Sequence, residues 1–116
     1  MLPRKNRIPK SLFESVFKRT KAIQGRYFKL RFLIVKDLPT GQAGNKQSQF
    51  SFITSKTVSK KAVQRNLLRR RGYSIIQKNL KNIKTPLLAF FLFNKEAVGA
   101  TYKELEADII SLLNKA

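Results

Sequence analysis

The chain has 116 residues, 42% of them hydrophobic, which suits one modest core and a single domain over 1–116. Lysine and arginine number 25 against six acids, and cysteine and histidine are absent, so disulfides, thiolate chemistry and Cys/His zinc sites are excluded. A net charge of +19 asks for a polyanion: nucleic acid first, an anionic membrane second, with a merely solvated cationic surface as the bland alternative.

The charge is uneven. Residues 1–95 carry 23 basic and two acidic residues, whereas 96–116 carry two basic and four acidic ones. The C-terminal stretch therefore reads as a structural helix set away from the partner. The opening MLPRKNRIPK has no apolar stretch behind it, unlike a signal peptide, and no segment approaches the ~20 apolar residues of a membrane span. The expectation is a cytoplasmic protein with no membrane contact.

In chain order, Ser11 and Glu14 form a capping box, so a short helix is expected from Ser11, with Leu12/Val16 and Phe13/Phe17 as i,i+4 pairs. A weak strand signal lies at Lys21 to Gln24. From Tyr27 to Val35, Phe28, Leu30, Phe32 and Ile34 share one parity and Lys29 and Arg31 the other, which predicts a strand with one core face and one basic face. Asp37 to Gln49 holds Pro39, Gly41 and Gly44 and reads as a long loop, and Phe50 to Thr54 as a second strand. Ser59 to about Lys84 reads as the longest helix, with Leu68, Ile75, Ile76 and Ile83 in one sector around Gly72; another backbone packed close would explain that glycine. Leu87 to Phe93 is continuously apolar and predicts a strand buried on both faces. Thr101 and Glu104 make a second capping box before an amphipathic helix with Leu105, Ile109, Leu112 and Leu113. The sum is an α+β two-layer sandwich: a small mixed sheet of about four strands packed with three helices, in the order α-β-β-β-α-β-α.

The densest chemistry lies in Lys60 to Tyr73, KKAVQRNLLRRRGY. Lys61, Arg65 and Arg69 follow at i, i+4 and i+8 along one helix side, a row that can meet successive phosphates. Arginine's planar fork suits phosphate, and the Asn66 amide can serve phosphate, sugar or a 2′-OH. A solvated basic face is the competing reading.

Ala62-Val63-x-Arg65-Asn66-x-x-Arg69-Arg70, after Ser55-Lys56, resembles the signature of the bacterial ribonuclease P protein family. Phe13-x-x-Val16-Phe17-Lys18, then Gly25-Arg26-Tyr27-Phe28, is similar to that family's opening helix and first long strand, and the ending matches too. The resemblance implies a left-handed βαβ crossover from the strand at Phe50 to the strand at Leu87, against the usual hand. It implies that Lys61, Arg65, Asn66, Arg69 and Arg70 bind the catalytic RNA subunit. It also implies a leader-binding cleft that uses Phe13, Phe17, Arg31 and Lys56. Aromatic platforms beside cations are what single-stranded RNA requires, although Phe13 and Phe17 could equally serve core packing. Leu67 stands where the family's arginine-rich triplet usually has its second arginine, and Arg31 where a cleft residue is often aromatic.

The implied reaction is removal of the 5′ leader of precursor tRNA, with the chemistry carried by the RNA subunit and its Mg²⁺, and no catalytic residue, metal site or cofactor on the protein alone. The six acids, Glu14, Asp37, Glu96, Glu104, Glu106 and Asp108, form no cluster of the kind protein-borne metal hydrolysis needs, and Glu104/Asp108 reads as an ordinary i,i+4 pair. The expected partners are ribonuclease P RNA and precursor tRNA, with one protein monomer per RNA. A structural ribosomal protein would have a similar composition but no need for an aromatic cleft; a self-contained nuclease is disfavoured by the missing histidine.

Overall fold

Alternation and apolar runs translate directly into strands. The computed structural model describes residues 6–8, 17–34, 48–83 and 87–115. Its elements are β1 (Lys21–Gln24), β2 (Phe28–Ile34), β3 (Gln49–Ile53), α1 (Ala62–Asn79), β4 (Leu87–Phe93) and α2 (Tyr102–Lys115), with 3₁₀ turns at Leu80–Asn82 and Lys95–Gly99. The strands form one mixed sheet in the order β1-β2-β4-β3: β2 runs antiparallel to both β1 and β4, while β3 and β4 are parallel neighbours joined by α1. This is the expected α+β architecture. The helix expected from Ser11 lies outside the described residues except for Phe17, as does the loop expected at 37–49 except for Ser48 and Gln49; Gln49 opens β3. Two α-helices stand among the described residues.

Register divides the side chains between two faces. Phe28, Leu30 and Phe32 of β2, Phe50 and Phe52 of β3, and Leu87, Ala89, Phe91 and Phe93 of β4 point to the helix layer. There they meet Leu68, Ile75 and Ile76 of α1 and Leu105, Ile109 and Leu112 of α2. Phe52 lies flat against Phe91, with centroids 5.0 Å apart and planes at 11°. The opposite face of β4 carries Leu88 and Phe90, with Leu33, Ile53, Leu92, Ile8 and Phe17 packed against them. The outer edge of β3 is occupied at Phe50, whose carbonyl accepts from the Ile8 N–H at 3.0 Å, which blunts an otherwise open edge.

Helix α1 begins three residues later than the sequence suggests. Residues 55–59 turn on the Ser55 carbonyl, which accepts from the N–H groups of Val58 and Ser59. The Ser59 hydroxyl then accepts from the Lys61 N–H at 3.3 Å and donates to Gln64. Gly72 faces the Phe52 ring rather than a neighbouring backbone: a β-carbon there would lie 2.5 Å from Phe52 Cδ1. The close approach is therefore between helix and aromatic side chain, which corrects the expectation of a backbone neighbour.

The ending is held by its acids. The Thr101 hydroxyl accepts from the Glu104 N–H and a Glu104 oxygen accepts from the Thr101 N–H at 2.9 Å, completing the capping box. The other Glu104 oxygen accepts from the Tyr27 hydroxyl at 3.0 Å. Asp108, one turn on, accepts from three successive backbone N–H groups, those of Arg26 (3.1 Å), Tyr27 (2.9 Å) and Phe28 (3.2 Å). Gly25 makes room for it: a β-carbon there would lie 2.8 Å from an Asp108 oxygen. The pair is thus a clasp between α2 and the β1–β2 turn, not an ordinary helical spacing. Hydrogen bonds from the Thr101 backbone and then from Tyr27 hold the Glu104 carboxyl below its usual range, while burial, then the bond to Glu104, raises the Tyr27 hydroxyl.

Two predictions follow from this packing. Gly72→Ala should destabilise the fold by about 1–3 kcal/mol in urea titrations through overpacking against Phe52, even though alanine favours helix by about 1 kcal/mol; a gain in stability would contradict the placement. Glu104's lowered carboxyl contributes stability that is complete above the usual glutamate range and is lost as pH falls through its depressed value. Glu104→Gln should therefore flatten part of the acid limb of a stability–pH profile, and it should also alter the alkaline limb, because the Tyr27 hydroxyl loses the bond that helps raise it; an acid limb identical to wild type would contradict the clasp.

Candidate nucleic-acid interface

The basic segment read from the sequence runs from the approach to α1, with Lys61 as its N-cap, into the helix, and its members point in two directions. Arg65 and Arg69 are half-buried and lean toward the turn that leaves β3. Arg65 Nη1 donates to the Ser59 carbonyl at 2.8 Å, and Arg69 Nη1 donates to Thr54 Oγ1 at 2.9 Å. Arg69 Nη2 donates to Asn66 Oδ1, which ties the exposed Asn66 amide to the next turn of α1. Lys61, Asn66 and Arg70 are exposed. The arginines nearest the sheet thus brace the cationic face, and Asn66 and Arg70 present it.

Asn66, Arg69, Arg70, Tyr73 and Ser74 together line an open groove of about 470 Å³. Tyr73 and Ser74 were not singled out from the sequence, although they stand at i+7 and i+8 from Asn66, on the same stripe. Tyr73 is fixed by Phe52: the rings meet edge to face at 4.9 Å, and the Tyr73 hydroxyl accepts from the Phe52 N–H at 3.3 Å. Among the described residues the ion pair is Lys78 with Glu106, at 3.6 Å near the far end of α1. Among the described residues three of the four carboxylates lie on α2, and the first turn of α1 carries none.

Phe17 and Arg31 meet on the other face of the sheet. Arg31, at the centre of β2, pairs with Phe90 of β4 and Ala22 of β1. Its guanidinium lies over the Phe17 ring, 4.5 Å from the centroid, and its Nε donates to Thr20 Oγ1 at 2.9 Å. Phe17 is half-buried and packs edge-on against Phe90, with centroids 5.2 Å apart, so it serves packing and the cationic surface at once. Lys29 is exposed on the same face. Phe13 lies outside the described residues.

Lys56 stands in the turn that follows β3. With Lys60 and Lys95 it borders a second depression, of about 570 Å³, at the shared C-terminal end of parallel β3 and β4. Lys95 was missed; its signal is a lysine just past a buried strand. Among the described residues no three His, Cys, Asp or Glu side chains group so as to hold a metal ion, and no helix is long and apolar enough to cross a membrane.

The chain is 28% identical over 117 residues to the ribonuclease P protein component of Pseudanabaena sp. (strain PCC 6903), covering all of this chain and 95% of that one. It is 32% identical over 84 residues to that of Synechococcus sp. (strain JA-2-3B'a(2-13)), covering 72% of this chain and 62% of the relative. Its fold is similar to the RNase P protein from Thermotoga maritima (TM-score 0.78, 20% identity, 95% and 96% of the two chains). It is likewise similar to a Staphylococcus aureus RNase P protein mutant described as defective in mRNA degradation activity (TM-score 0.79, 17% identity, 96% and 87%). The family model for Ribonuclease P matches residues 2–116, and the chain belongs to the ribonuclease P protein family.

Proposed function

We propose that this chain binds the ribonuclease P RNA along α1 and receives the single-stranded 5′ leader of precursor tRNA on the opposite face of the sheet, so that the RNA subunit can remove that leader. The observation that carries the reading is the separation of two cationic surfaces by one sheet: arginines and an asparagine on a helix on one side, a Phe17–Arg31 pair on the other. Folded RNA and an unpaired strand need different surfaces, a row of phosphate donors and an aromatic platform respectively.

The protein's work in this reading is binding. Arg70 and Lys61 neutralise phosphates of the RNA subunit, the Asn66 amide hydrogen-bonds its phosphate or sugar oxygens, Arg65 and Arg69 hold that face against the turn at 54–59, and Arg31 with Phe17 holds the leader. Lys56, in the turn after β3, neutralises leader phosphates. Water activation falls to Mg²⁺ held by the RNA subunit. One monomer per RNA, in the cytoplasm, completes the assignment.

Adding the purified protein to ribonuclease P RNA at low Mg²⁺ should raise precursor-tRNA cleavage, while the protein alone cleaves nothing; no effect on cleavage would refute the assignment and favour a structural ribonucleoprotein role. Arg70→Ala should weaken binding to the RNA subunit by about 10-fold with no loss of thermal stability, because a charge-assisted bond to phosphate is lost. Arg69→Ala should lower both affinity and stability, since its guanidinium also ties α1 to Thr54. Phe17→Ala should weaken binding of precursor tRNA by about 5-fold or more in the holoenzyme, with mature tRNA and RNA-subunit affinities unchanged. Equal losses for tRNA with and without a leader would move the leader off this face.

A further inference from the structure

Helix α1 carries an apolar strip inside its cationic surface. Val63 is 81% exposed and Leu67 43% exposed, one helical turn apart. Single exposed aliphatic residues are ordinary. This pair differs in its surroundings: Lys60 precedes Val63 by three residues, and Arg70 and Arg71 follow Leu67 by three and four. At 100° per residue, Val63, Leu67 and Arg70 fall within a narrow sector opposite the buried residues Leu68, Gly72 and Ile75. The strip is therefore the outermost ridge of the helix, beside the groove lined by Asn66 and Arg70.

We infer that Val63 and Leu67 take the apolar surface of the RNA, a ribose edge or an unstacked base, while Arg70 and Lys60 hold the phosphates on either side. The inference rests on the RNA-binding reading of α1. Charge decides the occupant. An apolar protein surface would have to desolvate Lys60, Arg70 and Arg71 without supplying anions, and a second copy of this +19 chain would bring the same cations against them. RNA offers phosphate and apolar sugar or base surface within one nucleotide. Leu67 then replaces an ionic contact with a desolvated apolar one, so this segment binds with less dependence on salt than an arginine there would give.

The test measures affinity for the ribonuclease P RNA of the same organism across a salt series, using wild type, Leu67→Gln, Leu67→Arg and Arg70→Ala. All are substitutions at partly or fully exposed helix positions, and circular dichroism verifies that each folds. Leu67→Gln should bind about fivefold more weakly at every salt concentration, with the slope of log K against log salt unchanged. Leu67→Arg should steepen that slope by about 0.7–0.9 and bind more weakly than wild type at high salt. The inference is overturned if Leu67→Gln binds as wild type while Arg70→Ala is impaired, or if Leu67→Arg binds more tightly at all salt concentrations. It is also overturned if wild type dimerises by sedimentation and Leu67→Gln abolishes the dimer. If neither Arg70→Ala nor Leu67→Gln changes RNA affinity, the RNA-binding assignment of α1 fails with it.

Discussion

Strand β4 is seven apolar residues in succession, and a strand of that kind has to be sheltered on both faces and paired on both edges. The remaining described structure is arranged around this requirement. β2 takes one edge and β3 the other. Ala89, Phe91 and Phe93 are covered by α1 and α2 on one side, and Leu88 and Phe90 receive Phe17, Ile8, Leu33 and Ile53 on the other. Because β4 is sheltered on both faces, the two sides of the sheet carry separate sets of side chains. Two surfaces of different chemistry can therefore coexist on a domain of 116 residues.

The same constraint explains where the charges lie. Lys29 and Arg31 share the parity of the second face, so the arginine stands over the Phe17–Phe90 contact instead of in the helix layer. On the helix side, Leu68, Gly72, Ile75 and Ile76 turn inward, which forces Asn66, Arg70 and the Val63–Leu67 pair outward. Acids stay with α2. Glu104 and Asp108 are engaged by Tyr27 and the backbone of residues 26–28, and Glu106 by Asn79 and Lys78. The clasp that closes α2 onto the β1–β2 turn thus also engages Glu104 and Asp108 on the side of that turn.

Much of this was legible in the sequence because it is local. Parity placed Phe28, Leu30 and Phe32 in the core and Arg31 outside, the unbroken apolar run gave β4 its two buried faces, and Thr101 with Glu104 announced α2. What escaped depends on residues far apart in the chain. Asp108 looked like a routine helical acid because its three donors lie about 80 residues upstream. Gly72 was correctly read as a close approach, but the neighbour is the Phe52 ring, which periodicity cannot reveal. The i, i+4, i+8 row of Lys61, Arg65 and Arg69 was visible; that Arg65 and Arg69 are tied to Ser59 and Thr54 was not, since it depends on how the chain turns out of β3.

The central claim is that one sheet keeps two RNA strands apart. The chain has no cysteine, so single cysteines can be introduced cleanly at exposed positions on the two sides, Ala62→Cys on α1 and Lys29→Cys on β2. Each is loaded with a tethered iron chelate that releases hydroxyl radicals, and the holoenzyme bound to precursor tRNA is mapped for cleavage. The account predicts cuts in the RNA subunit from position 62 and in the 5′ leader from position 29. Cuts from both positions in the same RNA segment would contradict it.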